Sequence, residues 1–276
     1  RDRVLNPGNG YAAEPGVYLD TSGVSLTEWE AHSLTVDITA GMVGWPLQFG
    51  YSSTGGNYAP TSVLYDNMVV SQDTTPEPEP EPVATDLFVS EYGEGPSGTS
   101  SWGKYLEIAN FTGADVSLNG YILGGITNGG DAYEKFVSFT ADATIANGDV
   151  WVIGRAESGD GSPEALYSQI DQVNTNVTHN GDDAWHLLAG TSDSYTLVDA
   201  AIGDAGDDPG SGFTVCGDGT TANVTLVRKA TVTAGADSWA TSAGTDADTC
   251  QWTIVSQSAD ALDYSTVGNH TFSPAE

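Results

Sequence analysis

Four short loops gather oxygen donors: Glu157-Ser158-Gly159-Asp160-Gly161, Asn180-Gly181-Asp182-Asp183, Asp204-Ala205-Gly206-Asp207-Asp208 and Asp246-Ala247-Asp248. Calcium takes about six to eight oxygens, and flexible carboxylate loops with free carbonyls can wrap it. Asp204, Asp207 and Asp208 form the best calcium candidate of the four. None of the loops follows the EF-hand spacing, and Asn, Asp and Gly are equally what tight β-turns demand. Turn chemistry therefore stands beside metal binding as a reading of these loops.

Glu91 and Glu107 are carboxylates inside strand-like strings. A glycosidase would set such a pair about 5 Å or about 6.5–9.5 Å apart across a cleft, but no pattern in the sequence forms a cleft around these two. The expectation is that each faces solvent or pairs with Lys104 or Arg228, without catalysis. His32, His179, His186 and His270 lack metal-ligand spacing; His186 alternates with Trp185 and Leu187, which predicts an outward-facing imidazole. There is no Gly-x-Ser-x-Gly elbow and no phosphate loop ending in Lys-Ser or Lys-Thr. Aromatic residues are the remaining lead, since exposed rings stack on sugar faces. Trp45, Tyr51 and Tyr58 lie close together, and Trp102, Tyr133 and Trp239 fall in loop-like stretches. Trp45, Tyr51, Tyr58 and Trp102 are the carbohydrate-contact candidates. Trp29, Trp151, Trp185 and Trp252 sit within or beside apolar runs and are expected to pack.

The elements that must position these groups are strands. The abrupt shift in composition at Thr74–Pro82, with alternating Pro and Glu, predicts extended polyproline II over a linker at 73–83. Before it, residues 1–72 show alternation at Leu34, Val36 and Ile38, at Leu47, Phe49 and Tyr51, and a run at Val63–Val70. After it, residues 84–276 carry nine strand-like strings: 86–92, 105–110, 120–123, 136–139, 150–154, 184–188, 196–200, 224–228 and 252–255. One short helix is expected over Ser162–Tyr167, with Ser162 capping and Pro163 in the first turn. The fold class is thus all-β, an incomplete sandwich followed by a full one.

The 276 residues include 7 Lys and Arg against 38 Asp and Glu, a net charge of −31. That field opposes nucleic acid, whose binding needs cations to release counterions, and it opposes anionic membranes. It reads as solubility in salty surroundings, as calcium binding, or as both. No run of 18 apolar residues exists to span a bilayer. Cys216 and Cys250 are the two cysteines; the expectation is a disulfide, which the loop-entropy relation values at about 4 kcal/mol, with two buried thiols as the alternative. Arg1 opens the chain without Met or signal peptide, which reads as a mature or excised fragment of a secreted protein.

Two resemblances follow. The strings Arg3–Ala12, Leu47–Tyr51 and Leu64–Met68, with Trp29, are similar to the C-terminal half of a jelly-roll carbohydrate-binding module. That resemblance implies polysaccharide contact and a structural calcium held by Asp66. The N-terminal strands of such a module, which supply its other ligands, have no counterpart here. Phe88–Tyr92, Tyr105–Asn110, Asp115–Tyr121, Asn180–Trp185, Leu197–Asp199, Asp208–Gly210, Leu226–Lys229 and Gly268–Thr271 fall in the order of the lamin-tail domain of secreted bacterial proteins. That second resemblance covers about residues 85–272 and implies an immunoglobulin-like sandwich without enzymatic activity. Residues 216–250 look expanded relative to it. Together these readings give a non-catalytic binding, adhesion or spacer region of a secreted bacterial protein, with polysaccharide as the expected partner and calcium as the expected ion. The alternatives are an accessory region of an extracellular nuclease or phosphatase, and a surface-assembly subunit completed by a neighbouring chain's strands.

Overall fold

The computed structural model describes residues 2–18, 27–50, 69–70, 83–96, 102–258 and 260–274. The chain divides into two compact units, Arg1–Glu77 and Pro78–Glu276. In the first, β1 (Asp2–Asn6) is flanked by β2 (Ala12–Val17) and β3 (Leu47–Phe49), both antiparallel to it. The Asn6 side chain accepts the Gly8 N–H at 2.8 Å, and Gly10 takes a φ of +59°, which turns the chain back into β2. The alternation at 47–49 does form a strand. That at Leu34, Val36 and Ile38 forms none, and Ile38 is 55% exposed; a strand needs a ladder partner, and alternation alone supplies none. The run at Val63–Met68 lies outside the described residues.

The second unit is a sandwich of a six-stranded and a four-stranded sheet. Its elements are β4 (Phe88–Gly93), β5 (Tyr105–Asn110), β6 (Val116–Ser117), β7 (Tyr121–Ile126), β8 (Lys135–Ser138), β9 (Thr144–Ile145), β10 (Asp149–Gly154), α1 (Glu164–Tyr167), β11 (Gln172–Val173), β12 (Ala184–Thr191), β13 (Ser194–Ile202), β14 (Thr214–Val215), β15 (Gly219–Thr220), β16 (Val224–Arg228), α2 (Trp239–Ala243) and β17 (Trp252–Ser256). The large sheet runs β11-β10-β5-β4-β16-β17, the smaller β13-β12-β7-β8, and β6–β9 and β14–β15 form short ribbons. All nine expected strings are strands. The helix starts two residues later than its expected cap: Pro163 takes the cap position without a side-chain bond, while the Ser162 hydroxyl donates to the Glu157 carbonyl.

Between the sheets lies the main core. Val89, Tyr92, Leu106, Ile108, Ile153, Leu226 and Trp252 meet Leu123, Val137, Trp185, Leu187 and Ile202. The outer face of the six-stranded sheet carries a second core built from Phe88, Tyr105, Ala109, Val150 and Val152, covered by Leu166 of α1 and by Tyr264 and Val267. Both faces of β4 and β5 are therefore buried, so these strands carry little of the polar alternation of a half-exposed strand. The described residues of the segment 257–274, which follows β17, form a strap over this outer face. Among the described residues no helix is long and apolar enough to cross a membrane.

Candidate functional site

β4 and β5 run antiparallel, and an extra residue at Ser90 bulges β4 between Val89 and Glu91. The bulge keeps Val89 and Tyr92 in the main core while turning Glu91 to the outer face, directly opposite Glu107. The two carboxylates are 1% and 0% exposed, which overturns the expectation of solvent-facing side chains. Tyr105 donates to Glu91 Oε1 at 2.5 Å, Ser90 donates to Glu107 Oε1 at 2.7 Å, and the Gly268 amide of the strap donates to Glu107 Oε2 at 2.7 Å. Glu91 Oε2 has no partner at bonding distance, although the Thr266 hydroxyl eases its charge. Burial, then the neighbouring Glu107, push Glu91 up to about 8. Burial likewise pushes Glu107 up to about 7, against the pull of its Ser90 and Gly268 donors. The pair has the composition of an acid/base dyad, but both carboxylates are closed to solvent beneath the strap.

The cations expected beside these glutamates have other partners. Lys104 pairs with Glu94, whose other oxygen accepts the Asn223 amide. Arg228 pairs with Asp199 in the main core, both side chains fully buried. Its guanidinium sits 4.1 Å from the Trp252 ring centre and donates to the Val89 carbonyl at 2.9 Å and to Gln251 at 2.6 Å. Asp199 accepts the Val89 and Ala236 amides at 2.9 and 2.8 Å. The pair links β13 of one sheet to β16 and β4 of the other, with nearly every donor and acceptor used.

The remaining candidates divide between turns, core and surface. Asp204 accepts the Trp239 amide at the start of α2 (3.1 Å), and Asp208 accepts the Gly210 amide of its own turn (3.0 Å). Among the described residues no group of three or more His, Cys, Asp or Glu could hold a metal, so Asp204, Asp207 and Asp208 do not converge as a ligand set. Asp66, Tyr51 and Tyr58 lie outside the described residues. Trp45 is half-buried. Trp102 packs on the second core with its ring edge toward Tyr264, and Trp239 is buried in α2 against Phe213; neither is a free loop aromatic. Trp29, expected to pack, is 72% exposed. His186 lies on the face of β12 opposite Trp185 and Leu187, as its alternation predicts, but it is buried there because Tyr133 covers it and bonds Nδ1 at 2.7 Å while Nε2 meets the Gly203 carbonyl. The Cys216–Cys250 disulfide is formed, with Cα atoms 5.0 Å apart.

An aromatic cluster of which the sequence reading named only Tyr133 lies where that residue covers β12. Tyr133, Phe136 and Tyr195 have ring centres 5.3–5.9 Å apart, and Tyr195 and Leu197 are 41% and 44% exposed. Tyr195 lies on β13, the edge strand of the smaller sheet. Nearby, a groove of about 180 Å³ opens between Leu118, Tyr121, Phe139 and the β12–β13 turn, with no carboxylate, imidazole or thiol in its lining.

Two antiparallel-rich sheets packed face to face around the main core define an immunoglobulin-like β-sandwich domain. The family model of the Lamin Tail Domain matches residues 80–266, more than half of the chain, and the chain belongs to that family. Comparison with curated proteins and with solved structures finds no match.

Proposed function

We propose that this chain is a non-catalytic binding and spacer region of a secreted protein, and that it contacts polysaccharide. The observation that carries the reading is the distribution of chemical groups in the second unit. Glu91, Glu107, Asp199, Arg228, His179 and His186 are buried, while the aromatic cluster at Tyr195 reaches the surface. Rings on an edge strand suit sugar faces, and a net charge of −31 favours neutral over anionic polymers. The Cys216–Cys250 bridge supports an oxidising compartment. Affinity electrophoresis in gels containing neutral polysaccharide tests this: the chain is retarded, and Tyr195→Ala together with Trp45→Ala abolishes the retardation. Unchanged mobility of the intact chain across neutral and acidic polysaccharides would overturn the proposal.

A second reading concerns the first unit. Among its described residues Val4 is buried, whereas Leu47 and Phe49 are each 45% exposed and Val43 is 81% exposed. These side chains favour completion of the sheet by strands of a neighbouring chain. Light scattering of the purified chain at micromolar concentration separates the cases, because a stable monomer excludes it.

A further inference from the structure

The strap is held toward its ends by ring contacts and by hydrogen bonds, Gln257 donating to the Asn223 carbonyl at 2.9 Å and to the Thr225 hydroxyl at 3.0 Å, and in its middle by a carboxylate. Tyr264 lies edge-on to Tyr105 at 6.3 Å, His270 edge-on to Phe88 at 5.6 Å, and Phe272 stacks on Phe111 at 4.6 Å. The Ser273 amide bonds the Ala230 carbonyl at 2.7 Å. Between these anchors the Gly268 amide ties the strap to Glu107, and the Thr266 hydroxyl acts on Glu91. The φ of Gly268 is +83°, in the left-handed region, and a Cβ there would press on the Gln169 side chain just after α1, so glycine is the residue that suits this turn of the strap.

We propose that Glu91 and Glu107 form a proton-held latch for the strap 257–274, tightest while the pair retains protons and loosened as both carboxylates ionise. Directly opposed residues on antiparallel strands have Cβ atoms about 4.5–5.5 Å apart. Two ionised carboxylates at that spacing, out of water, repel and accept only. The charged groups that act on the pair add to the repulsion: Asp149 of β10 and Asp171 before β11 act on Glu107, and Asp263 of the strap acts on Glu91. Tyr105 of β5 and the Ser90 and Thr266 hydroxyls are neutral donors, and Thr225 of β16 touches the Tyr105 hydroxyl. Among the described residues no Lys or Arg forms an ion pair with either glutamate. His270 in the strap stays neutral over the same range, since burial and then Arg228 lower it to about 4. Water released onto the pair restores ordinary acidity, so opening the strap at neutral pH releases protons.

That coupling fixes the form of the test. For each proton released on opening, the opening equilibrium rises about tenfold per pH unit, and it levels off near pH 8, where the closed pair is itself ionised. Hydrogen–deuterium exchange of peptides covering 257–274, corrected for intrinsic rates and referenced to β12 peptides, is measured from pH 5.5 to 9. The expected result is strap protection that falls about tenfold or more per unit below pH 7 and then flattens, with a flat profile throughout in E91Q/E107Q. Constant strap protection in the unmodified chain, or the same fall in the folded double variant, overturns the latch. Should the double variant not fold, carboxyl-carbon NMR titration of the unmodified chain decides: midpoints below about 5.5 for both glutamates, close to the ordinary carboxylate range, overturn the proposal.

Discussion

On the inner face of the six-stranded sheet Asp199 meets a guanidinium, two amides and an aromatic ring beneath the cation; on the outer face Glu91 and Glu107 meet each other. Both sites are removed from water to the same degree. The inner site balances desolvation with an opposite charge and a closed set of hydrogen bonds. The outer site balances it by keeping protons, and its cover is an irregular segment rather than a sheet. Depth of burial therefore does not tell a permanent fastener from a conditional one. The identity of the compensating partner does.

The largest expected effect comes from breaking the inner site. Asp199→Ala leaves a buried guanidinium unpaired and is expected to cost about 3–5 kcal/mol in urea unfolding. A smaller loss, about 4 kcal/mol at most by loop entropy, is expected on reducing the Cys216–Cys250 bridge, which closes next to Gln251 of the Arg228 cage. The pH dependence sharpens the contrast. Glu91 and Glu107 bind protons more tightly folded than unfolded, so their stabilising effect is complete below about pH 4.5 and is lost as pH rises through about 7 and about 8. The difference in unfolding free energy between the unmodified chain and E91Q/E107Q should fall across that window. The smallest effect is assigned to the surface loop: Asp204→Ala removes one acceptor at the start of α2 and should cost about 1 kcal/mol. The same value should be measured in calcium and in EDTA, and a loss seen only in calcium would restore the ion to this loop.

The strand positions in the second unit were legible because alternation and turn residues report local geometry, and nine strings became nine strands; the order of the strands within the two sheets was not. The two-residue ribbons β6–β9 and β14–β15 were not, since pairs that short exist only by virtue of the fold around them. α2 was missed because Trp239–Ala243 is a single turn in a Gly- and Asp-rich stretch. The glutamate pair escaped for a subtler reason: its cover arrives from far along the chain. A usable signal was present nonetheless. Tyr105 and Ala109 share the face of Glu107 at positions two before and two after, and a carboxylate between apolar neighbours on one face points to burial rather than to solvent. The same test separates His186, whose outward face is shared with Leu188.

Gly268 and Glu107 are joined across 161 positions. During synthesis the β4–β5 hairpin therefore leaves the ribosome long before its lid does, and its outer apolar face must wait for the strap. Non-local closure of this kind slows folding and prolongs the exposure of sticky surface. The two internal acids then acquire a further consequence. While the nascent sheet is uncovered, Glu91 and Glu107 are ionised in water, a pair of negative charges in the middle of an apolar strip that discourages edge and face association until the lid arrives.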